Sequence, residues 1–390
     1  RAGAIALANE RMEYVRSLSY SSVGVTGGIP SGTIAQSETV ALNNISYTRR
    51  TFVSYADDPK DGTGTSDSNS ITADYKVAKV EVSWASRSGT RSVELVTRVS
   101  PVTVETTVPG GTLTLNVVDA QASALQNAQI SILNTGANPD INLTTYSDSS
   151  GQAVFVGATT TGTYEVTITK SGYSTAQTYN ASPSNPSPTP GHLAVLNNQT
   201  TSATFAIDIL SSKTVVTRNK SDGTHLSGVP FTLTGAKTIG SSPVVYKYQQ
   251  TFGSGGTGTT TVSGLEWDTY TLSVPSSSGY SIASSCAPQS EYLAPNTAQT
   301  TILYLAPYTT HSLLVAVRAN ATSAVIPDAS VRVYRTGYNT RMGSDACGQS
   351  LFGNLSATTY SIEVSASGYT TQTMSNVSVS GTTGVTVSLN

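Results

Sequence analysis

The chain has 390 residues, only 11% of them charged, with 21 Lys and Arg against 23 Asp and Glu and a formal net charge of −2. That balance excludes the basic footprint of a nucleic-acid-binding protein and a polybasic membrane patch. Two Cys, and 20 Tyr against six Phe in a chain crowded with Ser and Thr, point to an exported protein built of half-buried sheets. The first element in chain order is a helix. Ile5, Ala8, Met12 and Val15 recur at three- and four-residue spacing, Leu18 extends the stripe, and Glu13 and Arg16 are placed to pair at the surface. No Ser, Thr or Asp caps it, and the stripe reads most simply as a face that docks on a sheet.

That sheet follows. The string "ETVALNNISYTRRTFVSY" predicts a hairpin turning at Asn43-Asn44, and "KVAKVEVSWASRSGTRSVELVTRVSP" a second turning at Ser88-Gly89. Between them, "DDPKDGTGTSDSNSITAD" gathers Asp57, Asp58, Asp61, Asp67, Asn69 and Asp74, with Gly62 and Gly64 to let the backbone wrap. Ca²⁺ takes oxygens of this kind from a flexible loop, and carboxylates converging without a cation repel one another. The run lacks the closing Glu of an EF-hand, and a solvated, turn-rich loop is the alternative reading.

The helix-then-meander order and the string "ALANERMEYVRSL", with Leu-Ala-x-x-x-Met-Glu-x-x-Arg from Leu7 to Arg16, resemble type IV pilins and type II secretion pseudopilins. The resemblance implies that the helix is the lower part of a stalk with a hydrophobic segment ahead of Arg1, the chain's only route to a membrane. It makes Ile5, Ala8, Met12, Val15 and Leu18 the face on which copies of the chain assemble. It also raises the calcium reading, because pseudopilins use a loop in this region for the ion.

Beyond the head, three segments share one pattern. Its clearest blocks are "YEVTITKSGY" from Tyr164, "YTLSVPSSSGY" from Tyr270 and "YSIEVSASGY" from Tyr360. Each alternates with period two, so Tyr164, Val166 and Ile168 share one face, as do Tyr360, Ile362 and Val364. The Ser-Gly-Tyr that follows predicts a turn whose Tyr (Tyr173, Tyr280, Tyr369) packs on the end of a sandwich. The stretch "PSNPSPTP" reads as a stiff loop inside the first repeat.

The first repeat, from "LNVVDAQASALQNAQISIL" through "DSSGQAVFVG" to "TYEVTITKSGY", resembles the carboxypeptidase regulatory-like domain, an immunoglobulin-type sandwich. The third repeat nearly matches that pattern; the second has "GSGGTG" where the Asp-Gly turn belongs. The expected fold is therefore mainly β. A pilin-like helix and small antiparallel sheet occupy residues 1–108, and three tandem Ig-like sandwiches occupy 109–210, 211–307 and 308–390.

Catalytic patterns are missing: no Gly-x-Ser-x-Gly, no His-x-x-x-His, no Cys-x-x-Cys, and no phosphate loop leading into a helix. Cys286 and Cys347 fall at surface turns of consecutive repeats, which favours a disulfide across their junction; two unpaired thiols and a bond between subunits are the alternatives. The expectation is a non-enzymatic structural subunit of an extracellular bacterial filament, with copies of itself as partners and glycans or other cell surfaces as contacts, and no cofactor beyond the Ca²⁺ reading. A membrane-anchored adhesin that never polymerises is the first rival. An accessory module of an exported hydrolase is the second.

Overall fold

The computed structural model describes residues 1–56, 60, 74–87, 89–102, 108–285 and 290–390. The protein is mainly β: one N-terminal helix, a small antiparallel sheet, then sheets stacked in pairs.

Helix α1 (Ala2–Ser17) is followed by β1 (Ser37–Leu42), β2 (Ile45–Ala56), β3 (Tyr75–Ser86) and β4 (Gly89–Val99), paired in that order as an antiparallel meander. The β1–β2 turn sits where expected, with Asn43 and Asn44 at φ 51° and 61°, the paired left-handed conformation whose twist matches the strands it joins. The second hairpin closes from Ser86 to Gly89.

Helix α1 lies on β3 and β4 and buries Ala4, Leu7, Ala8, Met12 and Val15. Of the expected stripe, Ala8, Met12 and Val15 are buried within this chain and Leu18 is partly buried, whereas Ile5 is 38% exposed. The covered line runs 4–8–12–15, and one residue along a helix turns the side chain by about 100°, which swings Ile5 off the sheet. Ala4 and Ala8 bring the helix backbone close, and Gly3 has no room for a Cβ beside the Tyr47 hydroxyl, 2.8 Å away. A charged latch adds to this packing. Buried Arg49 of β2 donates to the Leu7 carbonyl at 3.2 Å and to Glu38 Oε1 at 3.0 Å, and Glu38 also pairs with Arg11 of the helix.

The three repeats share one core of strand pairings, to which the second adds Tyr280–Ser285 beside its last strand and a hairpin of Thr238–Ser241 and Val244–Tyr246. In each, the first strand runs parallel to the last: Gly111–Val118 beside Thr200–Ala206, Ser211–Asn219 beside Ala298–Pro307, Ser312–Ala319 beside Thr382–Leu389. The first strand also pairs antiparallel with the strand after the Gly turn, at Gln152–Ala158, Thr259–Leu265 and Gln349–Phe352. A second sheet, centred on Gln129–Asn134 and Glu165–Thr169 in the first repeat, closes the sandwich. The same backbone bond recurs at Val117, Thr217 and Val317, whose N–H groups donate to the carbonyls of Gly151, Gly258 and Gly348. These glycines have φ of 73°, 69° and 69°, so the second repeat keeps the turn conformation although its Asp is gone.

Two side-chain positions repeat with the backbone. Tyr164, Tyr270 and Tyr360 are among the largest fully buried side chains, and each hydroxyl donates to a carbonyl four or five residues upstream. Ser147, Ser254 and Ser344 are also buried. Each accepts a backbone N–H at 2.9 to 3.0 Å and donates to a carbonyl at 2.6 to 2.9 Å, closing the turn in every sandwich. The Tyr that ends each block behaves less uniformly: Tyr173 and Tyr280 pack partly on their cores, whereas Tyr369 is exposed. The loop containing "PSNPSPTP" is exposed at Pro183, Pro186 and Pro190 but pinned by buried Asn185, whose N–H and carbonyl both pair with Ser182.

The described chain divides into two compact units: Arg1–Asp208 with Gly240–Pro243, and Ile209–Ile239 with Val244–Asn390. Within the first unit, Val23, Val25, Ile34 and Val53 of the head share a continuous core with Leu113, Ile132, Leu143 and Phe155 of the first sandwich. No helix among the described residues is long and apolar enough to cross a membrane.

Candidate functional site

Within the first unit, β2 and β3 face the first sandwich across an open groove of about 730 Å³, a volume in the range of small-ligand sites. The join is rigid. Gln36 donates to the carbonyls of Thr26 and Asn142 at 2.6 and 2.7 Å and accepts the Thr144 N–H at 2.8 Å, while the Asn142 N–H donates to the Gly27 carbonyl at 2.9 Å.

An aromatic pair lines the groove. Phe52 and Tyr146 meet edge to face with ring centres 6.2 Å apart, and the Arg50 guanidinium lies over the Tyr146 ring at 5.0 Å. Beside them Lys79 pairs with Glu94 at 2.9 Å and stands 5.7 Å from the Phe52 ring centre. Asp148, also on the wall, fixes its own turn by accepting the N–H groups of Ser150 and Gln152. Period two explains the arrangement: Arg50, Phe52 and Ser54 of β2 share the face away from α1. Flat rings flanked by hydrogen-bonding groups of both signs suit a polar, ring-shaped ligand better than an apolar one.

Other expected positions do not converge on this groove. Of the acidic run, Asp57, Asp58, Asp61, Asp67 and Asn69 lie outside the described residues; Asp74 is buried, its N–H donating to the Ala56 carbonyl at 3.1 Å. Among the described residues no group of three His, Cys, Asp or Glu is placed to hold a metal ion. The histidines are dispersed. His192 Nδ1 is 3.0 Å from Thr178 Oγ1, while His225 and His311 contribute backbone pairs to the second and third sandwiches.

Cys347 corrects an expectation. It is not a surface residue but only 4% exposed, and it is not a free thiol. Its turn is covered because Asp345 pairs with Lys220 of the second sandwich and the Ser285 N–H donates to Gln349 Oε1 at 2.6 Å. Cys286 lies outside the described residues.

One cluster has no counterpart in the expected set. In the second sandwich Lys213 is fully buried, its Nζ 2.5 Å from Glu291 Oε2 and 2.8 Å from Gln299 Oε1. Thr301 donates its hydroxyl to the same Glu291 oxygen. Alternation carried the signal: in "SSKTVVTR", Lys213 falls on the inward face with Val215 and Thr217.

Comparison with known proteins bears on the sandwiches. No curated protein matches the chain. Among solved structures, it is similar to the Bacillus anthracis TIE protein, at 13% identity over 81% of this chain and 59% of that one, with a TM-score of 0.23. It is also similar to the streptococcal ancillary pilin (13% identity, 72% and 99% covered, TM-score 0.20) and to the shaft pilin SpaA of Lactobacillus rhamnosus GG (16% identity, 50% and 98% covered, TM-score 0.21). The chain thus spans less than two thirds of the TIE protein, and TM-scores this low say nothing about assembly or activity. The type IV likeness of the head gains no support from them. A family model does match, over residues 112–208 and 312–390, which are the first and third sandwiches. That model is the carboxypeptidase regulatory-like domain.

Proposed function

We propose that the chain is a non-enzymatic structural subunit of an extracellular surface appendage, with its sandwiches displayed outward. The observation that carries this reading is the threefold repetition of one core of strand pairings behind a helix-and-sheet head. Repeated modules coated with Ser and Thr extend a chain; chemistry asks instead for titratable groups brought together at one place. The finer reading is a filament of type IV pilin character. It rests on the layout of α1 on the β1–β4 meander, with assembly passing to the helix side left open, where Ile5 and Tyr14 are exposed. Boundaries at 1–108, 109–210, 211–307 and 308–390, and a Cys286–Cys347 bridge between the last two sandwiches, belong to the same proposal. Gold-labelled antibody against residues 211–390 tests it on intact source cells: surface label supports the reading, and label only after permeabilisation contradicts it.

A second reading, glycan contact by a surface adhesin, is favoured by the groove. A sugar face stacks on Phe52 and Tyr146 while Arg50, Lys79 and Glu94 meet its hydroxyls. On that reading Tyr146→Ala weakens binding to a glycan array about tenfold, the loss of one stacked ring at roughly 1.4 kcal/mol. An unchanged array profile removes the groove from consideration.

A further inference from the structure

The buried lysine of the second sandwich invites a chemical question. The shared backbone bond at residues 117, 217 and 317 aligns the three first strands, so Lys213 occupies the position of Leu113 and Leu313. Both leucines are buried in their cores. A lysine there must be paired to be tolerated, and a buried pair is often no better for stability than the apolar residues it displaces. A salt bridge also needs only Glu291. What it does not need is a carboxamide on the same nitrogen. Gln299 stands directly across from Lys213 on the parallel last strand and presents Oε1 to Nζ at 2.8 Å.

We propose that Lys213 and Gln299 form an intramolecular amide cross-link, with Glu291 as the proton-transfer group. Glu291 takes a proton from the Lys213 ammonium across the contact they share. The freed amine attacks the Gln299 side-chain carbonyl carbon, a single bond beyond the oxygen it already contacts, and a C–N bond forms as the carbonyl opens. One amine proton passes to the original amide nitrogen, the bond from that nitrogen to carbon breaks, and ammonia leaves. The proton held by Glu291 converts ammonia to ammonium and restores the carboxylate. Atoms and charge balance with no oxidant, cofactor or water.

Geometry supplies the rate. Amine and amide are held on adjacent strands, and an intramolecular attack in near-attack geometry gains several orders of magnitude over the free reactants. Thr301 fixes the Glu291 oxygen that faces Lys213. The amide group donates to the Tyr292 carbonyl at 3.4 Å and is only half-buried, which gives ammonia a way out. The product joins the first strand of the sandwich to its last. Pull along the chain would then pass through the bond and leave the residues between 213 and 299 folded.

Intact-mass spectrometry of the purified chain tests the inference. The expected result is a mass short by one ammonia, with digestion yielding a branched peptide that joins residues 213 and 299. Lys213→Met and Glu291→Gln should each restore the full mass. A folded wild-type chain at full mass, with free Lys213 and Gln299 peptides, overturns the proposal, as does an ammonia deficit that persists in Lys213→Met. The wild-type measurement decides without any variant having to fold.

Discussion

Tyr164→Ala is expected to destabilise the first sandwich by about 3–5 kcal/mol, the range for removing a large buried aromatic ring. Its ring is fully buried in the core shared by the first sandwich and the head, and its hydroxyl donates to the Thr159 carbonyl at 2.8 Å. Tyr164→Phe separates the two contributions: it keeps the ring and leaves the carbonyl without its donor, at about 1–3 kcal/mol. The hydroxyl also has a pH signature. Burial pushes the Tyr164 phenol up from 10.0 to about 12, against the opposing hydrogen bonds to Asn134 and Thr159. The folded state therefore holds a proton that the unfolded chain releases. This contribution is fully present below pH 10 and is lost as pH rises through about 12. Urea midpoints measured across that window should fall less steeply in Tyr164→Phe than in the natural chain. Parallel slopes would mean that the phenol ionises equally well in both states.

The second large effect is expected at the helix. Met12→Ala removes a thioether packed among Leu7, Ala8, Tyr47, Val80 and Val82, and should cost about 2–5 kcal/mol. Ile5→Ser, one position off the covered line, should change stability by no more than about 0.5 kcal/mol. Trp84 packs against this cluster, its ring centre 6.0 Å from that of Tyr47, so its fluorescence during urea titration reports on the head. Equal costs at the two positions would place the docked face wrongly.

These residues also show what was legible in the sequence. Period two located the strands and the inward Tyr164, Val166 and Ile168, because alternation on a half-buried sheet admits one register. The Asn43-Asn44 turn was legible because few residue pairs tolerate two positive φ values in succession. The helix stripe was misplaced at Ile5 because side-chain size suggested a core residue, whereas close approach favoured Ala4. Cys347 sits on a turn that looks like its exposed counterpart at Ser150; only the neighbouring sandwich, through Lys220 and Ser285, covers it. Such burial between modules leaves no periodic mark.

The groove and the lysine cluster were hidden for a related reason. Arg50, Phe52 and Lys79 come from the head, while Tyr146 ends a strand of the first sandwich and Asp148 lies in the turn after it, and no local spacing connects the two sets. Lys213 and Gln299 are brought together by the parallel pairing of first and last strands, and Glu291 reaches them from the facing sheet. The serines at 147, 254 and 344 were within reach of the sequence, each four residues before the turn glycine. In a chain so rich in hydroxyls, a recurring Ser stands out only once the repeats are aligned.

Helical reconstruction by electron cryomicroscopy of surface fibres from the source cells tests the assembly claim most directly. The account predicts fibres in which α1 of each copy lies against neighbouring copies at the centre while the sandwiches line the outside. Fibres joined through sandwich edges with the helix facing solvent would contradict it, as would a surface that carries this chain only as dispersed single copies.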